Sequence, residues 1–143
     1  MKKAICLLAV VVLSLSLLSG CSGAVDAVPY KDGTYAGKSG EDDRGAFGEA
    51  TVTVAGGRIT DCKYVTWQKD GSIKDENYGK VNGEVSNQDY YNKAQLAVAA
   101  MKQYADRLVE AQNLADVDTI SGATIAFNQF KEAAGRALDE AGK

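Results

Sequence analysis

What most constrains this chain is a change of hydrophobic period halfway along it. Between Phe47 and Ala55 the residues alternate, with Ala50, Val52 and Val54 on one side and Thr51 and Thr53 on the other. That is the period of a strand with one covered face. Gly56-Gly57 follows, a pair that suits a two-residue turn, and Arg58 to Trp67 is then rich in Ile, Thr, Tyr, Val and Trp. The two runs predict a β-hairpin. The alternation of the return strand is broken, which leaves its inward face open. Upstream, Asp32-Gly33 is a turn signal and Thr34-Tyr35-Ala36 begins a shorter strand.

In the second half the period lengthens. Ala94, Ala97, Val98, Met101, Ala105 and Leu108 recur at steps of three and four, with Lys93, Lys102, Asp106 and Glu110 off the stripe. Asn87 is placed to cap this helix and Asn113 to end it. Met101 and Tyr104 read as core side chains. A second helix carries Phe127, Phe130, Ala134, Ala137 or Leu138, and Ala141. Strands first and helices after predict an α+β domain: a twisted antiparallel sheet from the N-terminal half, packed by two helices from the C-terminal half. Glu41 to Gly45 is a charged connector. Gln68 to Asn87 reads as a solvated loop, and its Asp75-Glu76-Asn77 run does not meet the EF-hand pattern, so no metal site is expected.

The chain opens with the basic Met1-Lys2-Lys3, an uncharged apolar run from Ala4 to Leu18, and then Ser19-Gly20-Cys21. This order predicts a secretory signal peptide, since the run falls short of a membrane span of ~20 residues. Leu18-Ser19-Gly20-Cys21 resembles a bacterial lipobox, which implies that Cys21 is diacylated and becomes the new N-terminus. A non-lipidated signal peptide ending near Cys21 is the alternative. The expected division is 1–20 lipoprotein signal peptide, 21–29 lipidated tether and 30–143 folded domain. The expected location is extracytoplasmic, anchored by lipid to the bacterial cell membrane. Cys6 would leave with the signal, and Cys62, in a strand pattern, reads as a small buried apolar residue.

Composition removes several chemistries. The 143 residues include no histidine, which excludes Ser-His-Asp and Cys-His nucleophiles, His-ligated zinc and imidazole acid–base work. A net charge of −3 argues against nucleic acid as a partner. Gly33-Thr-Tyr-Ala-Gly37-Lys38-Ser39 only superficially resembles a phosphate loop, because its glycine spacing is one short and Gly40-Glu41-Asp42-Asp43 follows in place of a helix.

Asp118-Thr119-Ile120-Ser121-Gly122-Ala123-Thr124 is the informative segment, lying between the helices and running into the second. It puts small residues and two hydroxyls where unpaired backbone N–H groups collect, an arrangement suited to phosphate. Gly122 removes a Cβ that would hinder approach. A plain Ser/Thr helix cap remains the alternative.

Asp-x-x-Ser-Gly-Ala-Thr resembles the flavinylation motif of the FMN-binding domain family, which includes a subunit of sodium-pumping quinone reductase and bacterial surface electron-transfer lipoproteins. Asp32-Gly33-Thr34-Tyr35, the Gly56 to Asp61 hairpin and the stretch from Val117 to Phe130 fall in the family's order. The resemblance implies covalent FMN as a phosphoester on Thr124, with Ser121, Gly122 and Ala123 shaping the loop around the phosphate and Asp118 belonging to the recognised motif. It implies as partners a flavin transferase using FAD and magnesium, a membrane quinone-linked electron donor, and an extracellular or neighbouring electron acceptor. The chain would be a redox carrier more than a stand-alone enzyme, with no catalytic residue of its own. An acidic domain would disfavour an anionic reduced flavin. Trp67, Tyr78, Tyr90 and Tyr91 are candidates for ring contact, each equally readable as structural. The rival function is a non-redox surface lipoprotein that binds a small ligand or partner, with a signalling peptide released from its signal sequence as a variant of that idea.

Overall fold

The alternation over residues 47–55 becomes a strand whose inward side chains are sealed: Ala50 and Val52 are 0% exposed and Val54 2%. The computed structural model describes residues 30–143, so the signal-peptide and tether readings, Cys21 included, lie outside the described residues. In chain order the elements are β1 (Gly33–Lys38), β2 (Phe47–Ala55), β3 (Arg58–Trp67), α1 (Gln88–Ala111), a short 3-10 turn (Leu114–Asp116) and α2 (Thr124–Ala141). The strands form one antiparallel sheet in the order β1-β2-β3. Sheet first and two helices after is the expected α+β arrangement.

The β2–β3 hairpin turns at Gly56 and Gly57, with φ of 61° and 71°, the double positive value that a type I′ turn demands. The broken alternation of β3 has a local cause. Thr53 pairs with Asp61 and Val54 with Ile59, so Thr60 is an extra, unpaired residue in a β-bulge. The bulge lets Ile59 point inward together with Cys62, Tyr64 and Thr66, all buried, although Ile59 is out of phase with them by simple counting.

Helix α1 packs on β3, and α2 on β1 and β2. The core between the layers centres on Phe130, which meets Tyr64 edge-on at 5.1 Å and stacks on Tyr104 at 5.6 Å. Full burial of side chains of this size contributes about 1.5–3 kcal/mol each. Around them α2 presents Ala133, Ala134, Ala137 and Ala141, all 0% exposed. This small face brings the helix against the sheet so closely that a Cβ on Gly37 would lie 2.1 Å from the Ala133 carbonyl oxygen. Glycine is required there by backbone approach.

Asn87 caps α1 as expected, its side chain accepting the Tyr90 N–H at 2.9 Å. The helix stops at Ala111 with Gln112 in the left-handed region, φ 61°. Asn113 therefore caps the 3-10 turn instead of ending α1. The segment from Gln68 to Asn87 is the solvated loop expected, with no buried residue, but it is anchored. Gln95 of α1 donates to the carbonyls of Asp75 and Tyr78, and the Tyr91 hydroxyl donates to that of Glu76. These bonds sew the loop onto α1, next to the start of α2.

Candidate functional site

The segment from Ile120 to Ala123 forms a tight turn closed by the Ala123 N–H donating to the Ile120 carbonyl at 3.0 Å. Gly122, at φ 83°, occupies the third position, where a type II turn requires a positive value. Helix α2 then starts with Ala123 as its N-cap and no side-chain cap. Neither Ser121 nor Thr124 spends its hydroxyl on the helix, so the plain Ser/Thr cap left open by the sequence is not formed. The first N–H satisfied by the helix is that of Phe127, bonded to the Ala123 carbonyl. Those of Thr124, Ile125 and Ala126 have no hydrogen bond among the described residues. Three free donors at a helix N-terminus, with its positive dipole end, favour an anion. Thr124 itself is exposed.

Two buried tyrosines hold this terminus from beneath. The Tyr104 hydroxyl, on α1, accepts the Ile120 N–H at 2.9 Å and donates to the Ala123 carbonyl at 3.3 Å. The Tyr64 hydroxyl, on β3, donates to the Ala126 carbonyl at 2.9 Å. Burial pushes the Tyr64 phenol up to about 12, so it is a neutral donor at physiological pH. Tyr104 is a core residue, as its spacing predicted, and it is also a positioning residue for the turn.

Thr124 opens onto a cavity of about 480 Å³. The wall on its side runs from Gly122 to Ala126, with Ala97 and Met101 of α1 beside it. The connector supplies Asp42, Asp43 and Arg44, and the long loop supplies Lys74 and Tyr78. Asp42 shapes the connector by accepting the N–H groups of Arg44 and Ala46, each at 2.9 Å. Gln129 of α2 ties the same connector down by donating to the Ala46 carbonyl at 2.7 Å. Lys74 is half-buried, and burial pushes its pKa down; Asp42 pulls it back up, and Arg44 opposes that.

Among the residues singled out by sequence, Gly122, Ala123 and Thr124 share this cavity, and Ser121 adjoins it in the turn. Asp118 does not face it. It lies on a separate shallow depression with Arg107, whose guanidinium donates to the Asp118 carbonyl. Of the aromatic candidates, Tyr78 lines the cavity and Tyr90 lines an adjoining one of about 270 Å³. Tyr91 is bound to the loop. Trp67, out of phase with buried Tyr64 and Thr66, donates its indole N–H to Glu49. Cys62 is buried, as expected, with its thiol pushed up to about 12 by desolvation first. Arg44 and Lys74 were not foreseen. The connector was visible as charged, but nothing local in the polar loop singled out Lys74.

The FMN-binding domain family matches residues 45–139. Among solved structures, the CPE2226 protein of Clostridium perfringens is 28% identical, with a TM-score of 0.62 over 78% of this chain and 88% of that one. A Clostridium thermocellum protein solved by NMR is also 28% identical, with a TM-score of 0.46 over 79% of this chain and 93% of that one. No curated protein matches the chain.

Proposed function

The chain belongs to the FMN-binding domain family, and from that premise we propose that it carries FMN as a covalent phosphoester on Thr124, acting as an electron carrier tethered outside the cell membrane. One observation carries the reading. An exposed threonine hydroxyl stands at an uncapped helix N-terminus, with three uncommitted N–H groups, at the mouth of a cavity of about 480 Å³. The residues present fit the group: the free donors suit a phosphate, the hydroxyl suits an ester, and the volume falls within the range of about 300–1,000 Å³ usual for small-molecule sites.

When bound, the flavin supplies one- and two-electron chemistry. The chain supplies position. Tyr104 and Tyr64 hold the first turn of α2, Gly122 lets the chain turn tightly before Thr124, and the helix terminus offers N–H groups to the phosphate. Attachment falls to a flavin transferase with magnesium. In that attachment the Thr124 Oγ would form the bond to phosphorus of the FMN half of FAD, AMP would leave, and the hydroxyl proton would pass to the transferase. Such a transfer asks the acceptor mainly for a reachable hydroxyl. Lipid on Cys21 would keep the carrier at the membrane, between a quinone-linked donor and an external or neighbouring acceptor. Motif residues Ser121, Ala123 and Asp118 would be read by the transferase.

The test is the intact mass of the chain from Ser22, co-expressed with a flavin transferase, beside Thr124→Ala. A gain of one FMN minus one water in the parent alone establishes the ester at Thr124. No gain, while a control substrate is modified, overturns it and promotes the non-redox surface lipoprotein.

A further inference from the structure

Lys74 reaches the cavity beside Thr124 without a carboxylate of its own. The ion pairs among the described residues are Lys38–Glu49, Lys102–Asp106, Arg136–Glu132 and Lys143–Glu140, and none involves a cavity-lining residue. The Lys74 ammonium instead lies 5.1 Å from the centre of the Tyr78 ring. Asp42, whose charge acts on it, has one carboxylate oxygen committed to two connector N–H groups. A half-buried cation with no ion partner is costly to keep, and the direction of the Lys74 pKa records that cost.

Position says which charge would relieve it. Arg44, Lys74 and Tyr78 line both the 480 Å³ cavity and the adjoining 270 Å³ one, whereas Thr124 lines only the first. The cations therefore belong to the wall between the two cavities. The phosphate end is already served by the N–H groups of α2. What remains for the Lys74 wall is the other end of the cofactor.

We propose that Lys74, seconded by Arg44, holds the negative charge that the isoalloxazine takes on reduction and so sets the redox poise of the carrier. This rests on reading the cavity as the FMN site. Two electrons from a quinol-class donor and one proton from solvent leave the ring a monoanion. Lys74 keeps its own proton and only offers N–H and charge, one of the levers by which a protein tunes a flavin. The groups facing Lys74 are Asp42, Asp43 and Arg44 from the connector, Tyr78 from its own loop and Tyr90 from α1. Local cations thus act against the effect expected of an acidic domain.

The experiment compares the full-length, flavin-loaded chain with Lys74→Met, Lys74→Arg and Lys80→Met. Lys80 lies over Tyr91 outside the Thr124 cavity and serves as the control. Loading is read by mass, and the midpoint by spectroelectrochemical titration. Lys74→Met should weaken the reduced form on the order of tenfold, about 30 mV for a two-electron couple. Lys74→Arg should restore most of that shift, and Lys80→Met should leave the midpoint unchanged. An unchanged midpoint in Lys74→Met overturns the proposal, as does poorer loading with an unchanged midpoint in the loaded fraction, which would make Lys74 a phosphate contact. A parent without FMN mass overturns the ester instead. The titration is then run on the non-covalent FMN complex, where the same results decide the role of Lys74.

Discussion

Tyr104 and Ala123 are joined by a buried hydrogen bond that crosses from the middle of one helix to the N-cap of the other. The same hydroxyl receives the Ile120 N–H, so one phenol ties both ends of the turn ahead of Thr124. Because Tyr104 is 0% exposed and stacked on Phe130, the aromatic core and the placement of Thr124 are one structure.

Tyr104→Phe keeps the ring and removes the hydroxyl. It leaves the Ile120 N–H and Ala123 carbonyl without that partner, for a cost of about 1–3 kcal/mol. Urea unfolding should show that loss, and covalent flavin loading should slow in the folded variant. Parental stability and loading together would mean that the phenol does not hold the turn.

Gly122→Ala meets two obstacles that can be separated. Its φ of 83° disfavours any Cβ, and that Cβ would lie 2.6 Å from Cδ2 of Leu96. Expected destabilisation is about 1–3 kcal/mol. Leu96→Ala, at a side chain 47% exposed, should cost little alone, and combined with Gly122→Ala it should recover only the contact part in thermal melts. Full recovery would show that the backbone conformation carries no strain.

Gln112 closes α1 onto β3 by accepting the Ile59 N–H at 2.9 Å and donating to the Ile59 carbonyl at 2.7 Å, while its own backbone sits at φ 61°. Gln112→Ala loses both bonds and keeps the strain. Gln112→Gly loses the bonds and relieves it, so it should be less destabilised than the alanine variant by about 1 kcal/mol. The reverse order in denaturant midpoints would contradict this account.

Acid should loosen the β2–β3 hairpin. The Asp32 carboxylate accepts the Gly57 N–H at 2.9 Å, and bonds from Gly57 and then Gly56 hold its pKa below the ordinary 3.8. A folded value below the unfolded one means that the stabilisation is complete above 3.8 and is lost as pH falls through the folded value. Asp70, lowered by Ser72, acts in the same sense. Denaturant midpoints should fall below about pH 4, and Asp32→Asn should flatten part of that fall. An unchanged slope in Asp32→Asn would remove the hairpin carboxylate from the acid response.

Much of the architecture was legible because it is local. Alternation announced β2, paired glycines the hairpin, and steps of three and four the two helices. The inward face of β3 was not, since a bulge at Thr60 shifts the phase and depends on pairing with β2. The end of α1 was misplaced by two residues for a related reason. Gln112 leaves the helix to bind Ile59 across the sheet, a bond that no helix-stop signal encodes.

The sequence by itself determined the small-residue turn and the threonine that opens α2, because turn and helix chemistry act over a few neighbouring residues. Only the tertiary structure decided what faces that threonine. Arg44 comes from the connector after β1, Lys74 and Tyr78 from a loop hung on Gln95, and Asp118, only six residues before Thr124, faces elsewhere. The physical reason is that a cavity wall is assembled from segments that share no local period. Their meeting depends on buried bonds such as those of Gln129 to Ala46 and Tyr104 to Ala123, whose partners are distant in the chain.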